Sequence, residues 1–117
     1  MKPDPRGEHL MAERHEIAVR NNPDANRYEA SVDGELAGFA FYRLAPGQVV
    51  FVHTEVQDGY EGQGVGGALA KAALDDVRRQ GKKAAPVCEF IAGYIRRHPD
   101  YVDLVDEAYR NEVLPSS

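Results

Sequence analysis

The sequence predicts one α/β (α+β) domain with a mixed, mostly antiparallel sheet of about five strands, in the order β-β-β-β-α-β-α. Three observations support this fold class. The 117 residues suit about one domain, strand-like segments separated by turn residues continue up to Val56, and helical periodicity begins at Val65. A short apolar segment, Lys82–Cys88, follows the helix, so the last strand is expected to run parallel to the strand before it.

Composition argues against two classes of function. Charged residues make up 28% of the chain, the formal net charge is -5 and the sequence pI is about 5.3, so we expect no nucleic-acid partner. No apolar run approaches the ~20 residues of a membrane span, and the polar start MKPDPRGEH lacks the apolar core of a signal peptide. We therefore expect a cytoplasmic protein whose single cysteine, Cys88, forms no internal disulfide.

Turn residues divide the N-terminal half of the chain into strands. Residues 1–14 are polar and show no sustained period, which predicts a flexible lead-in to a single domain at 15–117. Asp33-Gly34 is a favoured two-residue hairpin turn. In the strand after it, Phe39 and Phe41 share one face and the other face is also apolar, which is typical of a central strand covered on both sides. The four strands are expected at 15–20, 28–32, 35–44 and 49–56.

The C-terminal half alternates helix, strand and helix. An amphipathic helix is expected from Val65 to near Gly81, and Pro86 in the next strand argues against a fully paired central position. A short helix, Glu89–Arg97, follows, and Asp100 can cap one more helix. The apolar arc of the first helix contains Val65, Leu69, Ala70, Ala73, Leu74 and Val77, and the last helix would carry Val102, Val105 and Tyr109.

The glycine-rich loop between the fourth strand and the first helix is the strongest candidate for a binding site. It reads EGQGVGG, from Glu61 to Gly67. A helix start has N–H groups without intrahelical partners and a partial positive charge, so glycines there let a phosphate approach the backbone. The loop matches neither the mononucleotide nor the dinucleotide glycine pattern. Ligands of open mixed sheets bind at the carboxyl ends of strands, where this loop leaves Val56, so the topology predicts the same location.

The block from His53 to Tyr101 resembles a family of minimal single-domain GNAT-like proteins, within the acetyl-CoA N-acetyltransferase superfamily. It contains a His-Thr-Glu-Val strand, a Gly-x-Gly-x-Gly loop, a Lys-x-x-Pro strand ending in cysteine, and a Tyr-Ile-x-x-His-Pro-x-Tyr tail. The resemblance implies a shortened acyl-CoA N-acetyltransferase fold, without the helices that larger members place after their first strand. It also implies binding of acetyl-CoA and acetyl transfer to a primary amine of a small molecule or a protein.

The same resemblance implies which residues bind CoA. Backbone N–H groups of the loop would bind the pyrophosphate, and the main chain at Val56 would face the pantetheine arm. Glu61 departs from the family, where Arg or Gln is common, so we expect its carboxylate to point into water or to weaken CoA binding. We expect a monomer or weak homodimer. The loop residues carried over are Gly62, Gln63, Gly64, Val65, Gly66 and Gly67, and the charges that could compensate for Glu61, or simply lie on the surface, are Arg78, Arg79, Lys82 and Lys83.

Acetyl transfer to an amine needs an uncharged nucleophile, a stabilised oxyanion and a proton for the departing thiolate. His53 and Glu55 lie two residues apart on a strand and share a face, so either could accept the amine proton, directly or through water. Otherwise Glu55 forms an ordinary ion pair and His53 packs in the sheet. Cys88 precedes a helix whose positive pole favours a thiolate. It could carry the acyl group, donate a proton or be a small buried hydrophobe. Tyr94 is a second candidate acid, or a packing residue.

Two other functions are compatible with the sequence. One is a CoA-binding or interaction module with little turnover, which Glu61 and the missing helices would suit. The other is a structural domain whose Cys88 senses oxidation. No metal site is expected, because His9, His15, His53 and His98 lack the spacing of ligands.

Overall fold

The computed structural model describes residues 16–113, in which five strands form one sheet and a long helix connects the fourth strand to the fifth. Neighbouring strands pair in chain order, antiparallel for the first four and parallel for the last. The predicted fold class and element order are confirmed. The predicted lead-in at 1–14 and the first predicted strand residue, His15, lie outside the described residues. The elements are β1 (Ile17–Asn22), β2 (Arg27–Val32), β3 (Glu35–Ala45), β4 (Gln48–Val56), α1 (Val65–Arg79), β5 (Lys83–Pro86), α2 (Glu89–Arg97) and α3 (Arg110–Val113).

Short turns join the antiparallel strands. Asp33 and Gly34 have φ angles of 51° and 89°, as in a type I′ turn, whose twist matches that of the flanking strands. Between β1 and β2 the chain makes one 3₁₀ turn, Pro23–Ala25, and leaves it through Asn26 in the left-handed conformation. This connection is too short to contain a helix that would cover the sheet.

One face of the sheet packs against α1. The ring of Tyr28 is buried, and its hydroxyl donates a 2.7 Å hydrogen bond to the carboxylate of Asp76 on the helix. Burial, together with this bond, raises the pKa of Tyr28, so the hydroxyl remains a donor. The predicted apolar arc of α1 is buried throughout. The sheet residues on this face, called the helix face below, are Tyr28, Ala30, Val32, Ala40, Tyr42, Val49 and Phe51.

The opposite side of the sheet, called the second face below, carries polar and aromatic side chains. The carboxylate of Glu29 accepts hydrogen bonds from Asn22 at 3.0 Å and from Arg27 at 2.8 Å. The Arg27 guanidinium lies 4.7 Å from the ring centroid of Phe39 and 5.6 Å from that of Phe41, within cation–π range. Both rings are half-buried, so β3 is covered less completely on this side than its sequence suggests. The members of the second face used below are Arg27, Glu29, Phe39, Phe41, His53 and Glu55.

Glu29→Gln is expected to lower the free energy of unfolding by about 2 kcal/mol at neutral pH, since hydrogen bonds to charged groups are worth roughly 1.5–3 kcal/mol. Hydrogen bonds from Asn22 and Arg27 lower the pKa of Glu29 from its ordinary 4.5. A lowered native pKa stabilises the fold above the ordinary pKa, and this contribution is lost as the pH falls through the native pKa. The free energies of unfolding of the two proteins, measured in urea, should differ at pH 7; the difference should shrink as the pH falls below 4.5 and disappear below the native pKa. A difference that stays constant with pH would contradict a role for the charge.

The predicted helix after Asp100 is wrong. Pro99–Leu104 forms a 3₁₀ helix, and Val105 is extended and makes a parallel bridge to Ala84 at the outer edge of β5. The Asp106 N–H donates a 2.9 Å hydrogen bond to the carbonyl of Ala84. Backbone groups at the edge of β5 thus find hydrogen-bond partners in a segment about twenty residues further along the chain. This pairing keeps Val105 extended, although the spacing of the apolar residues favours a helix.

Candidate active site

A β-bulge in β4 decides which side chains project from each face of the sheet. The pairing with β3 shifts register between Phe51 and His53, so Val52 is an extra residue in β4. In an uninterrupted strand, His53 would share the helix face with Phe51. The bulge instead directs His53 and Glu55 to the second face and Thr54 to the helix face.

β4 and β5 separate beyond this bulge. Their parallel pairing ends at Phe51 and Pro86, whereas β4 continues to Val56. The N–H of Cys88 donates a 2.8 Å hydrogen bond to the carbonyl of Phe51 at the apex of the gap. Residues 52–56 therefore pair with β3 on one side only, and the gap on their other side is called the cleft below. An unpaired strand edge presents N–H and C=O groups to a ligand.

Cys88 lies at the apex of the cleft and is the N-cap residue of α2. It is 8% exposed, and its thiol donates to the hydroxyl of Thr54 at 3.4 Å. This contact joins the end of β5 to the unpaired part of β4. The sequence alone does not predict Thr54 as a residue of the site, because the orientation of its side chain depends on the bulge at Val52.

His53 and Glu55 form a hydrogen-bonded pair on the part of β4 that borders the cleft. His53 Nε2 lies 3.2 Å from Glu55 Oε1, and the two side chains are 59% and 49% exposed. The imidazole stacks on the ring of Phe41, with 6.4 Å between the centroids. The structure brings these two predicted site residues together, but on the opposite face of β4 from Thr54 and its contact with Cys88.

The loop before α1 has glycine where its backbone is left-handed. Gly62 and Gly64 have φ angles of 80° and 85°, and Gly64 is the N-cap residue of α1. A Cβ atom at either position would have no atom within 4 Å apart from those of the glycine and its chain neighbours, so the space beside the loop is open. An anion can therefore approach the first N–H groups of α1, which have no intrahelical partner.

The next two glycines lie within the first turn of α1 and contact α2. A Cβ atom on Gly66 would lie 2.5 Å from the ring of Phe90, and one on Gly67 would lie 3.9 Å from the ring of Tyr94. Small residues here let the two helix starts approach closely, and Phe90 covers the beginning of α1 beside the loop. The resemblance assigns all these glycines to pyrophosphate binding, and no sequence pattern reveals that Gly66 packs against Phe90.

Glu61 folds back onto its own loop. Its carboxylate accepts a 3.0 Å hydrogen bond from the N–H of Gly59, and the side-chain amide of Gln63 donates a 3.0 Å hydrogen bond to the carbonyl of Gly59. Both side chains thus support the turn before the helix. The basic residues that could compensate for Glu61 lie at the other end of α1, about 22 Å away at 1.5 Å per residue. They are Arg78, Arg79, Lys82 and Lys83.

Tyr94 lies in the contact between α1 and α2. It is 8% exposed, its ring stacks on His98 with 4.0 Å between the centroids, and its edge faces Gly67. Burial raises the pKa of Tyr94, so its hydroxyl is protonated at neutral pH. Its described ring contacts, with His98 and Tyr101, belong to helix packing rather than to the apex of the cleft.

Residues 16–113 contain neither a membrane-spanning helix nor a cluster of metal ligands. In this range no helix is both long and apolar enough to cross a bilayer. The same residues contain no group of three or more His, Cys, Asp or Glu side chains arranged to hold a metal ion.

Four antiparallel strands, a glycine loop, a crossover helix and a cleft beside a parallel fifth strand define a compact fold of the acyl-CoA N-acetyltransferase class. The family described as GCN5-related N-acetyl-transferase matches residues 27–104, more than half of the chain. The chain belongs to this family.

Several vertebrate proteins named Protein NATD1 are similar to part of the chain. The Gallus gallus protein is 47% identical over 47 residues, which cover 40% of this chain and 43% of that protein. The Homo sapiens protein is also 47% identical over 47 residues, covering 40% of this chain and 42% of the relative. The Danio rerio protein is 36% identical over 55 residues, covering 45% and 50%. The matched region thus spans half or less of the length of these relatives.

Proposed function

We propose that this protein binds acetyl-CoA in the cleft beside β4 and transfers the acetyl group to a primary amine. Family membership supports acetyl transfer as the class of reaction. The observation that carries the proposal is the unpaired edge of β4 at residues 52–56, which extends from the glycine loop to the Cys88 thiol and bears the His53–Glu55 pair.

The residues around the cleft fit the chemical parts of acetyl-CoA. The first N–H groups of α1, beside the open space at Gly62 and Gly64, suit a pyrophosphate. The unpaired N–H and C=O groups of β4 up to Val56 suit the amides of a pantetheine arm, which can pair with a strand edge. Glu61 is compatible with this site because the N–H of Gly59 holds its carboxylate on the loop.

Transfer forms a C–N bond to the amine and breaks the C–S bond of the thioester, so one proton leaves the amine and one reaches the departing thiolate. We assign the first proton to Glu55 acting with His53, because this accessible pair can accept it directly or through water. We assign the second proton to the Cys88 thiol, which lies at the start of α2, where negative charge is favoured. A backbone N–H of β4 would stabilise the oxyanion. Acyl transfer through Cys88 is the alternative role for this residue.

Thermal melting with acetyl-CoA tests the binding step. Ligand at ~100 times its dissociation constant should add about 2.7 kcal/mol, a shift of several degrees. Gly64→Val introduces a side chain beside the helix start and is expected to weaken acetyl-CoA binding roughly tenfold. Gly47→Val is the matched control, since Gly47 also has a positive φ (70°) and open space but lies in the β3–β4 turn. Both variants should lose stability, and only Gly64→Val should lose ligand affinity.

Intact mass and free-thiol release test the transfer step. An adduct of one acetyl group that disappears in Cys88→Ala would establish the acyl-cysteine route, and turnover without an adduct would support direct transfer. If acetyl-CoA causes no melting shift at saturation, the proposal fails. A shift without turnover of any amine would indicate a CoA-binding module instead.

A further inference from the structure

We infer that the acceptor is a lysine side chain in an exposed polypeptide segment with apolar neighbours. This inference rests on the proposed function and names the substrate class of the same site. It depends on two exposed valines that flank the apex of the cleft next to an accessible imidazole–carboxylate pair.

The His53–Glu55 pair is too accessible to enclose a small amine. Its side chains are 59% and 49% exposed, whereas pockets for small ligands bury roughly 70–90% of the ligand surface. Three cavities described by the structure border β1, β2 or α1, and neither His53 nor Glu55 lines any of them. The single 3₁₀ turn Pro23–Ala25 places no helix between β1 and β2 that could cover it. Within residues 16–113 the pair is therefore open, and an acceptor that brings its own covering surface, as a polypeptide does, suits such a site.

Two exposed apolar residues are adjacent in the chain to the residues that form the apex of the cleft. Val52, the extra residue of the bulge, is 41% exposed, and Val87, between Pro86 and Cys88, is 53% exposed. Val52 directly follows Phe51, which pairs with Pro86 and accepts the hydrogen bond from Cys88. The two valines thus flank one point, and neighbouring exposed apolar groups at a candidate reaction centre are suited to contact with a partner.

The second face beside this point suits an aliphatic ammonium ion. Phe39 pairs with Glu55, and Phe41 pairs with His53, on adjacent strands. The guanidinium of Arg27 already lies 4.7 and 5.6 Å from the centroids of the two rings, so the carboxylate of Glu55, rather than the rings, would attract the charge of a lysine. The methylene chain of a lysine can lie against such rings while its ammonium group reaches the carboxylate of Glu55. Residues beside that lysine would then contact Val52 and Val87.

Three acceptors that share a primary amine on the same aliphatic chain test this inference. They are the capped peptides Gly-Gly-Leu-Lys-Leu-Gly-Gly and Gly-Gly-Ser-Lys-Ser-Gly-Gly, and n-butylamine. With acetyl-CoA as donor, the leucine peptide should have a kcat/KM about tenfold above that of each of the other two, mainly through KM.

Variants are compared by the ratio of kcat/KM for the leucine peptide to kcat/KM for the serine peptide. In the double variant Val52→Thr, Val87→Thr, which keeps side-chain shape and adds hydroxyl groups, the ratio should fall to about twofold or less. Leu44→Thr is the matched control, because Leu44 is 57% exposed near the other end of β3, and it should keep the full ratio. Equal kcat/KM for all three acceptors, or an unchanged ratio in the double variant, would overturn the inference but not the transferase activity. No transfer to any acceptor, with acetyl-CoA binding intact, would overturn both.

Discussion

Gly38→Ala is expected to lower the free energy of unfolding by about 3 kcal/mol, as overpacking at a rigid site does. A Cβ atom at Gly38 in β3 would lie 2.8 Å from the carbonyl oxygen of Glu55. It would also lie 3.0 Å from the side chain of Val65 and 3.3 Å from that of Leu69, both on α1. Because backbone lies on one side and a buried helix on the other, neither neighbour can turn away. The melting temperature should fall by roughly 12 °C or more, at about 4 °C per kcal/mol.

Gly67→Ala is the control for this substitution. A Cβ atom there would lie 3.9 Å from the ring of Tyr94, an ordinary contact, and alanine is favoured over glycine in a helix by about 1 kcal/mol. Its melting temperature should be unchanged or higher. If the two variants melted alike, the close approach at Gly38 would not be the cause. Since Gly38 contacts both the strand beside the cleft and the start of α1, the folded fraction of Gly38→Ala should also bind acetyl-CoA more weakly.

The elements that the sequence predicts well are those whose signals are local. The Asp33-Gly34 turn follows from two residues that tolerate positive φ, and α1 follows from an apolar arc within fifteen residues. A local signal fails where a distant partner competes. The apolar spacing after Asp100 favours a helix, but the edge of β5 at Ala84 pairs with Val105 and keeps it extended.

The candidate site was only partly predictable for the same reason. Spacing shows that His53 and Glu55 share a face, but which face depends on the bulge at Val52 and hence on pairing with β3. Likewise the glycine loop is visible in the sequence, whereas the packing of Phe90 on Gly66 requires α2 to be in place. The types of residue at the site could be read from the sequence, and their division between two faces of β4 could not.

If the His53–Glu55 pair accepts the amine proton, Glu55→Gln is expected to lower kcat about 100-fold, since a positioned general base contributes roughly 10²–10⁴. Glutamine keeps the size of the side chain and can hydrogen-bond the imidazole, but it cannot take the proton. The KM for acetyl-CoA should change little, because neither side chain is assigned to CoA binding. The double variant Glu55→Gln, His53→Gln should have about the same kcat as Glu55→Gln alone. The effects of substitutions on the rate are not additive when the residues act as a unit.

The pH dependence separates loss of a base from a structural defect. A lysine-like amine has a pKa of about 10.4, so raising the pH supplies more of the neutral nucleophile and makes the enzymatic base less necessary. The rate of Glu55→Gln should therefore rise with pH toward that of the unmodified protein, whereas a distorted site would not recover. Glu107→Gln changes an exposed carboxylate in the 3₁₀ turn Glu107–Tyr109, and this variant should match the unmodified protein throughout. A Glu55→Gln variant with unchanged kcat at pH 7 would show that Glu55 does not take the amine proton, and an unchanged kcat in the double variant as well would exclude the pair as the base.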